Sequence, residues 1–85
     1  MYWDVIEVQI KKELTLWVHF ADNTSGYIKF SSQFLTGVFA PLKDPLFFKK
    51  VFISDGVLTW PGEIDLAPDA MYHQIREKGE RVLDS

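Results

Sequence analysis

The residues best equipped for chemistry lie near the C-terminus. Glu63 and Asp65 stand two apart and could form a carboxylate pair for acid–base work. Asp69 and His73 follow at the i, i+4 spacing of one helix face, and His19 is the other imidazole that could complete a metal site. Each has a plainer reading. Glu63 and Asp65 sit where a turn leads into a helix, and carboxylates there bond the local backbone or face water. Surface histidines are the default, and nothing in the sequence brings His19 near His73. The chain has no cysteine, so thiolate metal sites and disulfides are excluded. It also lacks a Gly-rich phosphate loop, a nucleophile elbow and zinc-ligand spacing. No catalytic residue, metal ligand or cofactor is therefore assigned, and the expectation is a non-enzymatic domain.

A second group could act by recognition. Trp17, His19, Tyr27 and Lys29 fall on the outward positions of two consecutive strands, and an exposed aromatic patch of that kind suits a protein partner or self-association. The alternative is that the terminal helix or the Val38–Leu42 segment covers this face. Phe47 and Phe48 pose a similar choice, since neighbours on a helix cannot both point fully inward. Lys11, Lys12, Lys43, Lys49 and Lys50 are scattered among acids and read as solvated surface. With a net charge of −3 and no helix of clustered Arg or Lys, binding of nucleic acid by this chain alone is not expected.

The elements that must position these residues follow from patterning. Eighty-five residues make one domain, and 47% hydrophobic and 15% aromatic content suits a small core. Trp3 to Ile10 alternates, with Ile6, Val8 and Ile10 on one side; Trp3 and Val5 break the pattern, which implies a bulge or two-sided burial. Lys11 to Glu13 is a turn. Leu14 to Phe20 directs Leu14, Leu16, Val18 and Phe20 inward and Thr15, Trp17 and His19 outward. Tyr27 to Phe30 is the next strand. A three-residue loop, Asp22 to Thr24, keeps the inward sets together and puts His19 opposite Tyr27 and Trp17 opposite Lys29.

Ser31 to Gly37 reads as one helical turn, capped by Ser31 and ended by Gly37, and Val38 to Leu42 as an extended segment around Pro41. Asp44-Pro45 starts a short helix to Lys50. Asp55-Gly56 closes a hairpin that pairs Ile53 with Leu58 and Val51 with Trp60. A final helix begins near Pro68, with Met71, Tyr72 and Ile75 as its apolar stripe and Gly79 at its end. Residues 1–78 form the expected ordered core, and 79–85 a charged tail expected to fray. The fold class is α+β: a small, mostly antiparallel sheet of about five strands, with short helical turns and a C-terminal helix packed on it.

The ten residues from Trp60 to Asp69 are the most distinctive stretch. Trp60-Pro61-Gly62-Glu63, then Asp65-Leu66, then Pro68-Asp69 and Tyr72 resemble the C-terminal signature of the bacterial domain of unknown function 2442. Gly37-Val38-Phe39-Ala40-Pro41-Leu42-Lys43-Asp44-Pro45 resembles the middle block of that family, and Trp3-Asp4-Val5 its start. The resemblance runs to about Ile75. Gly62 and Glu63 replace the commoner Asn and Gly, and Ala67 sits where an Asp often caps the helix, so that helix loses its usual cap. The resemblance implies no established activity. Some relatives carry a helix-turn-helix, some are encoded beside a second small unknown protein, which invites a toxin–antitoxin reading, and some bear a molybdopterin-biosynthesis label. It therefore implies an interaction or regulatory module, antitoxin-like in kind. The alternatives are a dimeric DNA-associated regulator and a small enzyme or molybdopterin accessory protein. No added DNA-reading domain is expected within these residues. No apolar run approaches a membrane span and the first residues do not read as a signal peptide, so a cytoplasmic location is expected.

Overall fold

Apolar residues at alternate positions build seven short strands, and the two proline-led segments build the helices. The computed structural model describes residues 1–84. In chain order they form β1 (Val5–Lys12), β2 (Thr15–Phe20), β3 (Ser25–Phe30), a 3-10 helix (Gly37–Lys43), α1 (Pro45–Phe48), β4 (Phe52–Ser54), β5 (Val57–Trp60), β6 (Ile64–Leu66), α2 (Pro68–Lys78) and β7 (Glu80–Leu83). The α+β class holds, but the single sheet of about five strands does not. There are two sheets, a four-stranded one in the order β1-β2-β3-β7 and a three-stranded one in the order β4-β5-β6.

The alternation of β2 and β3 puts Leu16, Val18, Phe20, Ile28 and Phe30 in the core. Thr15 is buried despite its outward position; its hydroxyl donates to the Glu13 carbonyl. Leu14 leaves the strand and takes the left-handed conformation in the Glu13–Leu14 turn, so Lys11 and Lys12 extend β1. The expected bulge at the start of β1 is present between Val5 and Glu7. It corrects the reading of Ile6: the bulge turns Ile6 out, 56% exposed, and Val5 takes the core place opposite Phe20.

The β2–β3 loop has the expected odd length but lies one residue earlier, at Ala21–Asn23. Phe20 N–H donates to Thr24 C=O at 2.8 Å, and Asn23 sits at φ 79°. The Asp22 carboxylate accepts from Thr24 N–H, and this local bond selects the loop. The register therefore moves by two residues: Trp17 faces Tyr27 and His19 faces Ser25, and the inward set stays inward.

Ser31 does not cap a helical turn with its side chain; its backbone C=O accepts from Phe34 N–H instead. Gly37, at φ 57°, opens the 3-10 helix rather than closing a turn. That helix takes in Val38–Leu42, expected as extended. A 3-10 helix this short accommodates Pro41, whose fixed φ fits it. Asp44 caps α1 by accepting from Leu46 N–H at 3.0 Å. The Asp55-Gly56 hairpin pairs Ile53 with Leu58 as expected, both turn residues having positive φ.

Two strands were not expected. After Trp60 the chain turns through Pro61-Gly62-Glu63 and forms β6, with Ile64 opposite Trp60. After α2 the residues expected to fray form β7, parallel to β3, with Leu83 buried opposite Phe30. The tail residue Ser85 lies outside the described residues. Helix α2 is preceded by Ala67 at its N-cap, which supplies no side-chain cap, as the loss of the usual Asp implies. It ends at Gly79, whose N–H donates to Ile75 C=O. Its stripe, Met71, Tyr72 and Ile75, is buried against the inner face of the larger sheet.

Gly26 permits that packing. A Cβ there would meet the Gly79 carbonyl oxygen and Ile75 Cγ2, each at 2.5 Å. Gly26→Ala is therefore expected to cost about 1–3 kcal/mol by overpacking. Thermal unfolding should register each kcal/mol as a fall of roughly 4–8 °C. Leu83→Asp should lower the midpoint as well, whereas an unpaired tail would leave it unchanged.

Candidate functional site

Strand alternation gathers one set of side chains on the face of the larger sheet that α2 does not touch. β1 supplies Glu7 and Gln9, β2 Trp17 and His19, β3 Tyr27 and Lys29, and β7 Glu80 and Val82. Trp17, His19, Tyr27 and Lys29 thus share a face as the sequence implied, though with changed opposites. Trp17 lies between Gln9 and Tyr27, while His19 lies between Glu7 and Ser25. Neither α2 nor the 3-10 helix covers them. Tyr27 is 42% exposed and Val82 45%, while Trp17 and His19 are half-buried by their strand neighbours.

The polar groups on this face are ordered by short contacts. Lys29 Nζ lies 2.9 Å from Glu80 Oε1 across the β3–β7 pair. His19 Nε2 lies 2.7 Å from Asn23 Oδ1, and Nδ1 lies 3.6 Å from Glu7 Oε1. With Nε2–H donating to Asn23, the other ring nitrogen, Nδ1, faces the Glu7 carboxylate. The Trp17 and His19 rings are 5.9 Å apart and tilted by 37°, which leaves an aromatic strip flanked by charge.

The signature residues do different work. Trp60 is fully buried and donates its indole N–H to the Phe48 carbonyl at 3.0 Å. Pro61, Gly62 and Glu63 form the exposed β5–β6 turn, with Gly62 and Glu63 at φ 88° and 64°. Asp65 is exposed on β6, Pro68 begins α2 and Asp69 lies exposed in its first turn. Among the described residues no three His, Cys, Asp or Glu side chains are grouped to hold a metal ion.

Tyr72 belongs to a cluster that sequence reasoning missed. Its buried ring faces Phe20 edge-on, and its hydroxyl donates to Asp22 Oδ2. Arg76 donates to the same hydroxyl at 2.7 Å, with its guanidinium 3.8 Å from the Asp22 carboxylate. The i, i+4 spacing of Tyr72 and Arg76 was legible; Asp22, fifty residues away, had no local signal. The Tyr72 hydroxyl, then the Thr24 N–H, then Arg76 hold the Asp22 carboxyl below its ordinary value of 3.8. The unfolded chain therefore takes up that proton more readily. The stabilisation is present above the ordinary value and is lost as pH falls through the lowered one. In acid titrations of stability, Asp22→Asn should begin less stable at neutral pH. It should also lose less as pH falls below the ordinary value of 3.8 and through the lowered one, so that the two curves converge.

A family model described as protein of unknown function (DUF2442) matches residues 5–77. No curated protein matches the chain, and no solved structure matches it. The matched stretch runs from the first core residue of β1 to the last turn of α2, including the 3-10 helix, Trp60 and Tyr72. The chain belongs to the family of proteins of unknown function designated DUF2442.

Proposed function

We propose that this chain is a non-enzymatic interaction module, regulatory and antitoxin-like in kind, that binds a protein partner through the outer face of its larger sheet. One observation carries the reading: the face bearing Trp17, His19, Tyr27 and Lys29 is left uncovered, while Leu16, Val18, Phe20, Ile28 and Phe30 on the opposite face are packed into the core. Aromatic side chains held on strands offer large contact area with little rotamer entropy to lose. The ordered pairs Lys29–Glu80 and His19–Glu7 flank the strip and supply the polar rim that such surfaces use.

Co-expression with the product of the neighbouring gene, followed by size-exclusion chromatography with mass measurement, tests this. A complex is expected, and Trp17→Ala with Tyr27→Ala should weaken it by roughly 30-fold or more, as loss of a hot spot does. Circular dichroism of the double variant should remain that of the folded protein. If the wild-type chain forms no complex, or the double variant binds as tightly, the outer face is not the recognition surface.

A further inference from the structure

Four lysines that look scattered along the chain converge on one hollow. Lys11 and Lys12 come from the end of β1, Lys43 from the end of the 3-10 helix and Lys49 from just beyond α1. Together they rim a cavity of about 550 Å³, within the range of ligand grooves. The walls are apolar: Ile10 and Leu14 on one side, Pro45 on the other, with the core residues Leu42 and Phe48 behind. One carboxylate, Glu13, shares the rim. The nearby Asp44 is occupied as the cap of α1.

The four lysines are exposed, and among the described residues none makes an ion pair. In a protein whose net charge is −3, this end is locally positive. Lysines on an edge strand have an ordinary use, which is to discourage pairing with another chain, and Lys11 at a bulge suits that role. Lys43 and Lys49 do not belong to the edge, so protection of β1 does not account for them.

A second observation concerns the backbone. β1 is an outer strand of its sheet. Its first residue, Val5, donates to Gly56 C=O. Among the described residues, from Ile6 to Lys12 no backbone bond is made on the side away from β2. β4 packs beside part of this edge without bonding to it, and the unbonded strand runs into the groove at Ile10, itself 39% exposed.

We infer that this groove docks an extended, acidic segment of a partner protein in which apolar and carboxylate side chains alternate. The strand period sends apolar side chains towards Ile10, Leu14 and Pro45 and carboxylates towards the lysine rim. The open edge of β1 offers main-chain hydrogen bonds to the same segment. This groove borders the aromatic face but is lined by other residues than Trp17, His19, Tyr27 and Lys29, so different substitutions test the two.

The probe is a labelled peptide of roughly ten residues, about one strand long, alternating leucine and glutamate. It is titrated into the full chain by fluorescence anisotropy and by amide chemical-shift mapping. Shifts are expected at residues 10–14 and 42–49. Affinity should fall about tenfold or more in Lys43→Glu with Lys49→Glu, both exposed positions that leave the core intact. Lys78→Glu, on α2, should leave it unchanged. The inference is overturned by no binding at about 1 mM peptide. It is also overturned by equal binding of a leucine–lysine peptide, by equal binding to the double variant, or by shifts confined elsewhere. Anionic lipid vesicles are the second arm. If they bind the wild-type chain and the peptide does not, the basic end faces a membrane and the peptide assignment is wrong.

Discussion

The two sheets are joined at the indole of Trp60. Its ring stands edge-on to Phe30 of the larger sheet at 6.2 Å and lies beside Phe48 of α1 at 6.2 Å, while its N–H is satisfied by the Phe48 carbonyl. Three strands of three or four residues cannot bury enough area to stand alone. They persist because β5 and β6 bury Leu58, Ile64 and Leu66 in the shared core and β5 carries the Trp60 indole across the gap. A buried indole also needs a partner for its N–H, since leaving it unmet costs about 1–3 kcal/mol. The carbonyl that meets it lies in the last turn of α1. Placement of α1 therefore follows from Trp60, and the Asp44 cap and Pro45 make that helix begin where Phe48 can reach it.

A small core also dictates what is left outside. Leu16, Val18, Phe20, Ile28 and Phe30 all turn to one side of the larger sheet, and α2 and the second sheet close over them. Nothing remains in the described residues to cover the other side. The Asp22–Tyr72–Arg76 cluster adds a polar tie at one end of this arrangement, fastening the β2–β3 loop to α2. The Gly26–Gly79 approach seats the C-terminal end of that helix. With Met71, Tyr72 and Ile75 buried, α2 lies on the inner face and leaves the aromatic strip uncovered.

What was legible in the sequence was local. The alternation in β2 and β3, the Asp-Gly hairpin, the Asp44-Pro45 helix start and the Met71–Tyr72–Ile75 stripe each depend on a few neighbouring residues, and each is present. Parity was legible for the same reason, while register was not. The Asp22 side chain chose a loop one residue earlier, which moved every opposite by two places without changing any face. Ile6 misled because a bulge breaks the period that made it look buried. β6 was hidden by Pro61 and Gly62, which read as an end to strand structure but form a turn between two strands. β7 looked like a charged tail, because Glu80 and Arg81 pair with β3 through backbone and a single apolar residue, Leu83, carries the burial. The basic end could not be read at all, since it depends on which loops meet in space.

The outer face and the basic groove are contiguous without being the same surface. Lys11 and Lys12 border the groove and also a shallower hollow with Thr15, Tyr27 and Lys29 at the corner of the aromatic strip. The family match spans every core residue except Leu83 and stops at 77, before β7. Glu80 and Val82, which complete the outer face and pair with or flank Lys29, lie beyond that stretch. Changes at Glu80 or Val82 alter the rim of the strip while Leu83 keeps the strand seated. The same strands thus hold the core with one set of side chains and present the aromatic strip with the other, because successive residues point to opposite faces.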